Sequence, residues 1–335
     1  MPRIPIGLVA GAIAVSVATS APSQTLKLAT LAPEGSPWHE IIVDIAEGWK
    51  ADSGGKLSVR IYAGGVAGDE GDVIRKMRVG QIQVAALSGQ GLSEITPDIQ
   101  ALQMPMMFES YEELDYVRDR IAPKLEALTE KNGFKILNWA DAGWVRFFTQ
   151  TPAIRPADLK PMKIFTWEGD PTYLEAMKSM GYQPVALAAT DMYTGLQSGL
   201  INAFPTTPIA ALSYQWFGLA NHMTDVKWAP LVGALVISNS AWRSLPDSLK
   251  PALLRTAQEA ALKGRGKVRP LEDEAIAAMK AHGLIVHPVP PDALAEWEAT
   301  ARAGYKMIVG KAVPAPIVAE VQHLRDEYRA KKGHK

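Results

Sequence analysis

Along residues 25–90 the hydrophobic positions change period segment by segment. Residues 26–30 read as a strand with Leu26 and Leu28 on one face. Ser36-Pro37 then supplies an N-cap followed by proline at the first helical position. Ile41, Ile45 and Trp49 recur at helical spacing until Gly54-Gly55 ends the run. Leu57, Val59 and Ile61 alternate as a second strand, residues 69–79 form a helical pattern stopped by Gly80, and residues 82–87 are a nearly continuous apolar run. Strand, helix, strand, helix, strand in this order predicts parallel pairing with right-handed crossovers, hence an α/β lobe.

The same rhythm returns further on. Ser110-Tyr111-Glu112-Glu113 is a capping box opening a helix to about residue 131, with Asn132-Gly133 as its stop. Residues 134–139 and 144–149 read as strands, and Pro152, Pro156 and Pro161 mark the expected crossing between lobes. In a second α/β lobe, strands are predicted at 162–167, 184–187 and 201–204, with helices opening at Asp170-Pro171 and running over 190–198. An apolar strand over 231–238 leads back to the first lobe. A long helical region covers 247–283 with a kink at Pro270, and two helices follow at about 291–303 and 316–331. The expected organisation is a signal peptide at 1–23, lobe I at 24–148 plus about 231–269, and lobe II at 149–230 plus about 270–335.

Composition narrows the chemistry. The 35 basic and 35 acidic residues cancel, so neither nucleic acid nor an acidic surface is an indicated partner. Arg3, an apolar run over 4–17 and the small residues 18–21 have the three-part form of a secretory signal, cleaved between about Ser20 and Gln24. An uncleaved membrane anchor is the alternative, although the run falls short of the ~20 residues a span needs. There is no cysteine, which removes disulfides, thiolate nucleophiles and cysteine-held metals. No two of the six histidines stand at the i, i+4 spacing of a helical zinc pair, and no G-x-S-x-G elbow is present. Ser88-Gly89-Gln90-Gly91 lacks the third glycine of a dinucleotide turn. Gly264-Arg265-Gly266-Lys267 lacks phosphate-loop spacing and reads as a solvated basic face. No catalytic residue, cofactor or metal is therefore assigned. What remains is aromatic: Trp38, Phe165, Trp167, Phe204 and others fall at strand ends or in loops, where they either fill a core or line a stacking pocket.

Several segments, in order, carry a resemblance. Residues 31–38 (LAPEGSPW), 80–85 (GQIQVA), 102–108 (LQMPMMF), 156–164 (PADLKPMKI) and 192–199 (MYTGLQSG) are similar to stretches of the substrate-binding subunits of tripartite ATP-independent periplasmic (TRAP) transporters, of the dicarboxylate-binding type. The resemblance runs through essentially the whole chain after the leader. It implies two α/β lobes joined by crossing strands and a long helix, a small-molecule ligand enclosed between them, periplasmic location, delivery to a membrane permease, and no catalysis.

The departure lies after Lys163-Ile164. There the family places an arginine that pairs with the substrate carboxylate; here the residue is Phe165. A ring cannot replace a planar guanidinium, and an unpaired carboxylate is costly to bury. The chain thus resembles a divergent branch without the arginine clamp, some members of which associate with tetratricopeptide-repeat partners. The expected ligand is hydrophobic or amphipathic. Phe165, Trp167 and Phe204 would form its apolar wall, Thr206 and Thr207 its hydrogen bonders, and Trp38 with the backbone around Gly89 the closure from lobe I. Arg146 is the nearby charge, read either as the anchor of a monocarboxylate or as an interlobe ion pair. A sensing or scaffold role uncoupled from transport is the further alternative.

Overall fold

In the computed structural model, which describes residues 24–333, eleven strands sort into two sheets. The expected signal peptide lies outside the described residues. The first sheet holds β1 (Gln24–Thr30), β2 (Leu57–Tyr62), β3 (Val84–Ser88), β4 (Phe134–Trp144) and β10 (Pro230–Ser238), in the order β2-β1-β3-β10-β4. β1 runs parallel to β2 and β3 through the helices Pro37–Asp52 and Glu70–Arg78, as the alternating periods predict. Ser36 Oγ accepts from His39 N, so the predicted cap forms, and Asp69 caps the next helix by accepting from Glu70 N. β10 enters antiparallel between β3 and β4, which makes the sheet mixed. It is covered on both faces, which is why its sequence is apolar nearly throughout.

Helices Pro37–Asp52 and Lys250–Val268 cover one face of this sheet and share a core with Leu26, Leu28 and Ile237; Trp49 Nε1 donates to Leu253 O at 2.9 Å. Helix Tyr111–Lys131 covers the other face, capped by Ser110 accepting from Glu113 N. The final helix, Ala315–Gly333, joins that layer. Its Ile317, Val318 and Val321 enter the first lobe's core, and Tyr116 donates to Glu327 at 2.9 Å. The assignment of everything past about residue 270 to lobe II is corrected for this helix. Its apolar stripe shows that it docks, but not on which lobe.

The second sheet holds β5 (Arg146–Thr149), β6 (Lys163–Trp167), β7 (Gln183–Leu187), β8 (Ala203–Thr206), β9 (His222–Asp225) and β11 (Ile285–Pro288), in the order β11-β9-β5-β8-β6-β7. β6 is parallel to β7 and β8, while β5 is antiparallel to β8 and β9. This is a two-lobe α/β architecture.

The crossing comes earlier than the prolines suggest. Trp144 pairs with Pro230 in the first sheet and Arg146 with Thr206 in the second, so the chain changes lobe at Val145. Both sides of the junction are buried, and the hydrophobic pattern runs through it unmarked. The returning segment lies alongside: Val145 N donates to Ala229 O at 2.8 Å and Trp228 N to Val145 O at 3.0 Å. A third connection passes at Arg269-Pro270, where the long helical region divides into Lys250–Val268 and Leu271–Ala281. The second of these packs against Pro208–Ser213 of lobe II. No described helix is long and apolar enough to cross a membrane.

Candidate functional site: a cleft between the lobes

The carboxyl ends of β1, β3, β6 and β8 converge on a cavity of about 180 Å³ between the two sheets. Strand ends are where open α/β sheets leave backbone and side chains free to meet a ligand. Phe165 and Trp167 stand two residues apart on β6 and so share a face; their rings meet edge-on at 5.4 Å between centroids. Trp216 extends this wall, stacked on Tyr214 at 4.3 Å. From lobe I, Trp38 reaches the cavity from the first turn of its helix, with Nε1 donating to Asp141 O at 3.2 Å. Two hydrogen bonds tie the lobes together beside the cleft: Tyr214 Oη donates to Leu31 O at 2.5 Å, and Ala189 N to Asp69 Oδ2 at 3.1 Å.

Of the residues singled out in the sequence, Phe165, Trp167, Thr206, Thr207 and Trp38 line this cavity, and three do not. Phe204 is a core residue, fully buried, stacked on Phe148 at 5.4 Å and edge-on to Trp216 at 5.8 Å. It sits two residues below Thr206 on the same face of β8, about 7 Å further from the mouth. Gly89 is glycine because a Cβ there would come within 2.2 Å of the Gln103 side chain, so close packing explains it. Arg146 is committed elsewhere: Nη2 pairs with Glu272 at 3.0 Å, Nε with Asp225 at 3.1 Å, and Nη1 donates to Trp144 O at 3.4 Å. Glu272 Oε2 in turn accepts from Trp144 N and Tyr111 Oη. Arg146 is engaged at the lobe junction and does not line the cavity.

Sequence reading missed the cavity's charged groups. Asp141 is buried and accepts from Arg118 Nη1 at 2.7 Å and from Arg269 Nε at 2.9 Å and Nη2 at 2.6 Å. Arg265 lines the same cavity from the long helix, although Gly264-Arg265-Gly266 reads in isolation as solvated. Ala257, Ala261 and Gly264 are that helix's buried small residues; a Cβ at Gly264 would stand 2.6 Å from Ile41. This close approach, visible as small residues at helical spacing, is the signal that could have placed Arg265 inward.

Glu70 also lines the cavity and is nearly fully buried. One oxygen accepts from Ser88 N at 2.6 Å, the other from Ser88 Oγ at 2.6 Å and Gly91 N at 2.9 Å. Burial pushes its pKa up to about 7, against the lowering effect of the Ser88 hydrogen bonds. Between the ordinary carboxylate pKa and pH 7 the folded state therefore holds a proton that the unfolded chain has lost. Stability falls as pH rises through that window, by about 3 kcal/mol from this group. Urea unfolding of wild type and Glu70→Gln at pH 4.5 and 8 should show this slope in wild type and its loss in the variant; equal slopes would refute the assignment.

Most polar side chains of the cavity are thus engaged within the protein. Asn138 donates to Ala257 O at 2.8 Å, and Thr207 caps the helix Pro208–Ser213 by accepting from Ala210 N. Among the described residues no group of histidine, aspartate and glutamate is placed to hold a metal ion. The arrangement offers a largely aromatic surface on which most polar side chains are engaged within the protein.

Residues 28–311 match the family model DctP, bacterial extracellular solute-binding protein, family 7. A solute-binding protein of Roseobacter denitrificans is 27% identical over 258 residues, covering 75% of this chain and 77% of that protein. The C4-dicarboxylate-binding periplasmic protein DctP of Rhodobacter capsulatus is 23% identical over 304 residues, covering 88% and 90%. In three dimensions the chain is similar to a TRAP periplasmic solute-binding protein of Sulfurospirillum deleyianum with bound succinate, with TM-score 0.84 and 20% identity over 91% of this chain and 100% of that one.

Proposed function

The chain belongs to the bacterial extracellular solute-binding proteins of family 7, the DctP family of TRAP solute-binding proteins, which serve transport and not catalysis, and we propose that its ligand is an amphipathic small molecule with an apolar body. In this reading the periplasmic protein encloses that molecule between its lobes and passes it to a TRAP-type permease. Bound ligand favours the closed arrangement by touching both lobes at once.

The observation that supports this reading is the wall at the end of β6. Phe165 and Trp167 face the cavity together, joined by Trp216, and several nearby polar side chains, those of Glu70, Asn138, Asp141 and Thr207, are engaged within the protein. Apolar ligand surface laid against such a wall gains about 25 cal/mol per Å², so roughly 100 Å² supplies about 2.5 kcal/mol. The relatives described as binding succinate or C4-dicarboxylates take small, doubly charged acids. A dianion in this cleft would set much of its charge against rings, and unpaired buried charge is costly. No feature of the fold speaks for a tetratricopeptide-repeat partner, and the reading leaves it out.

Mass spectrometry of solvent extracts from gently purified protein tests the proposal. Recovery of an aromatic, alicyclic or alkyl compound is the expected result; recovery of a dicarboxylate or sugar acid alone would overturn it. Trp167→Ala should then weaken the recovered compound by about 10-fold or more in calorimetry. Trp167 is only half-buried, so the variant should remain folded. Unchanged affinity would move the ligand off this wall.

A further inference from the structure

We infer that Arg265 anchors a single anionic group, a carboxylate or an equivalent monoanion, of the ligand held in the cleft; the inference rests on the cleft being the ligand site. Around Asp141 stand three guanidinium groups, those of Arg118, Arg265 and Arg269. Against them are two well-placed carboxylates: Asp141, side chain 1% exposed, and Asp115, which pairs with Arg118 and Arg269. Asp119 lies outside, 66% exposed and 3.8 Å from Arg118.

Arg118 and Arg269 use both carboxylates, and the Arg265 side chain makes no hydrogen bond or ion pair among the described residues. Its Nε is buried without an acceptor, and it is the one such atom that belongs to a residue lining the cavity. Burial, followed by the charge of Arg118, lowers the pKa of Arg265, which marks the site as short of negative charge. Nε is closed to any ligand, but the two terminal nitrogens are not buried and have no partner among the described residues, so an incoming acceptor can pair there with a cation that is costly to leave alone.

The count also limits the ligand. One surplus cation matches one negative charge, so a monoanion with an apolar body fits, whereas a dianion leaves one charge unpaired. Glu70 shares the cavity, but its oxygens are turned to Ser88 and Gly91, and burial keeps it protonated below about pH 7, where it adds no charge to the count. The Thr206 hydroxyl makes no hydrogen bond among the described residues and supplies a neutral second contact.

The test is calorimetry on the full protein with benzoate, 3-phenylpropionate and octanoate, each beside its neutral amide, and with succinate. Wild type should prefer each acid it binds over the matching amide by about 10- to 100-fold, the range of a charge-assisted hydrogen bond. Arg265→Gln should abolish that preference, the loss falling mainly on the acid, and Arg265→Lys should restore part of it. A preference that survives in Arg265→Gln, or acid and amide binding alike to wild type, would overturn the anchor and leave the apolar cleft standing. Binding of succinate alone, or of none of these compounds, would overturn both.

Discussion

Arg118→Ala should lower the free energy of unfolding by about 3–5 kcal/mol, the range for breaking one side of a buried ion pair. The Arg118 side chain is 1% exposed and holds Asp141, itself 1% exposed, at 2.7 Å, while also pairing with Asp115. Truncation removes a large buried side chain and leaves Asp141 to Arg269 alone, in a place where water cannot substitute. The measurement is urea unfolding followed by far-UV circular dichroism at neutral pH. A loss below about 1 kcal/mol would show that the cluster is hydrated and the charge count around Arg265 wrong. Trp38 should keep its place in Arg118→Ala, since it bonds the backbone oxygen of residue 141 and not the carboxylate.

Phe204→Ala should cost a similar 3–5 kcal/mol through the cavity left in the second lobe's core. It should change ligand affinity less than Trp167→Ala does. Phe204 is stacked on Phe148 and closed over by Trp216, so the void opens beneath the wall and not on its face. Thermal unfolding reads the first effect, and calorimetry below the melting transition reads the second. If Phe204→Ala instead weakened the ligand more than Trp167→Ala at unchanged stability, the ring would belong to the binding surface after all.

Much of the fold was legible because period and caps are local. Ser36, Asp69 and Ser110 cap the helices they precede, and the alternation around Leu26 and Val59 places two strands correctly. The lobe change at Val145 was not legible, since a chain passing from one buried sheet edge to another keeps its apolar pattern. The site was half legible. Phe165, Trp167 and Thr206 stand at strand ends that open on the cleft, but strand-end position does not give depth, and Phe204 lies one pleat too deep. Arg146 does not line the cavity and Arg265 does, because partners distant in sequence decide where each is held. Glu272 and Asp225 claim the first; nothing among the described residues claims the second. No periodicity records which of two cations meets its counter-ion.

Three of the chain's nine tryptophans, Trp38, Trp167 and Trp216, face the cavity, and they come from both lobes. Indole emission shifts and changes intensity with the polarity and contacts of its surroundings, so the protein carries its own optical gauge of occupancy. On the proposed function, ligand arrival changes the surroundings of three indoles at once, while the other six provide a background. Ligands can therefore be screened and titrated by unlabelled emission, and Trp38 and Trp167, varied one at a time, would tell which lobe the ligand touches first.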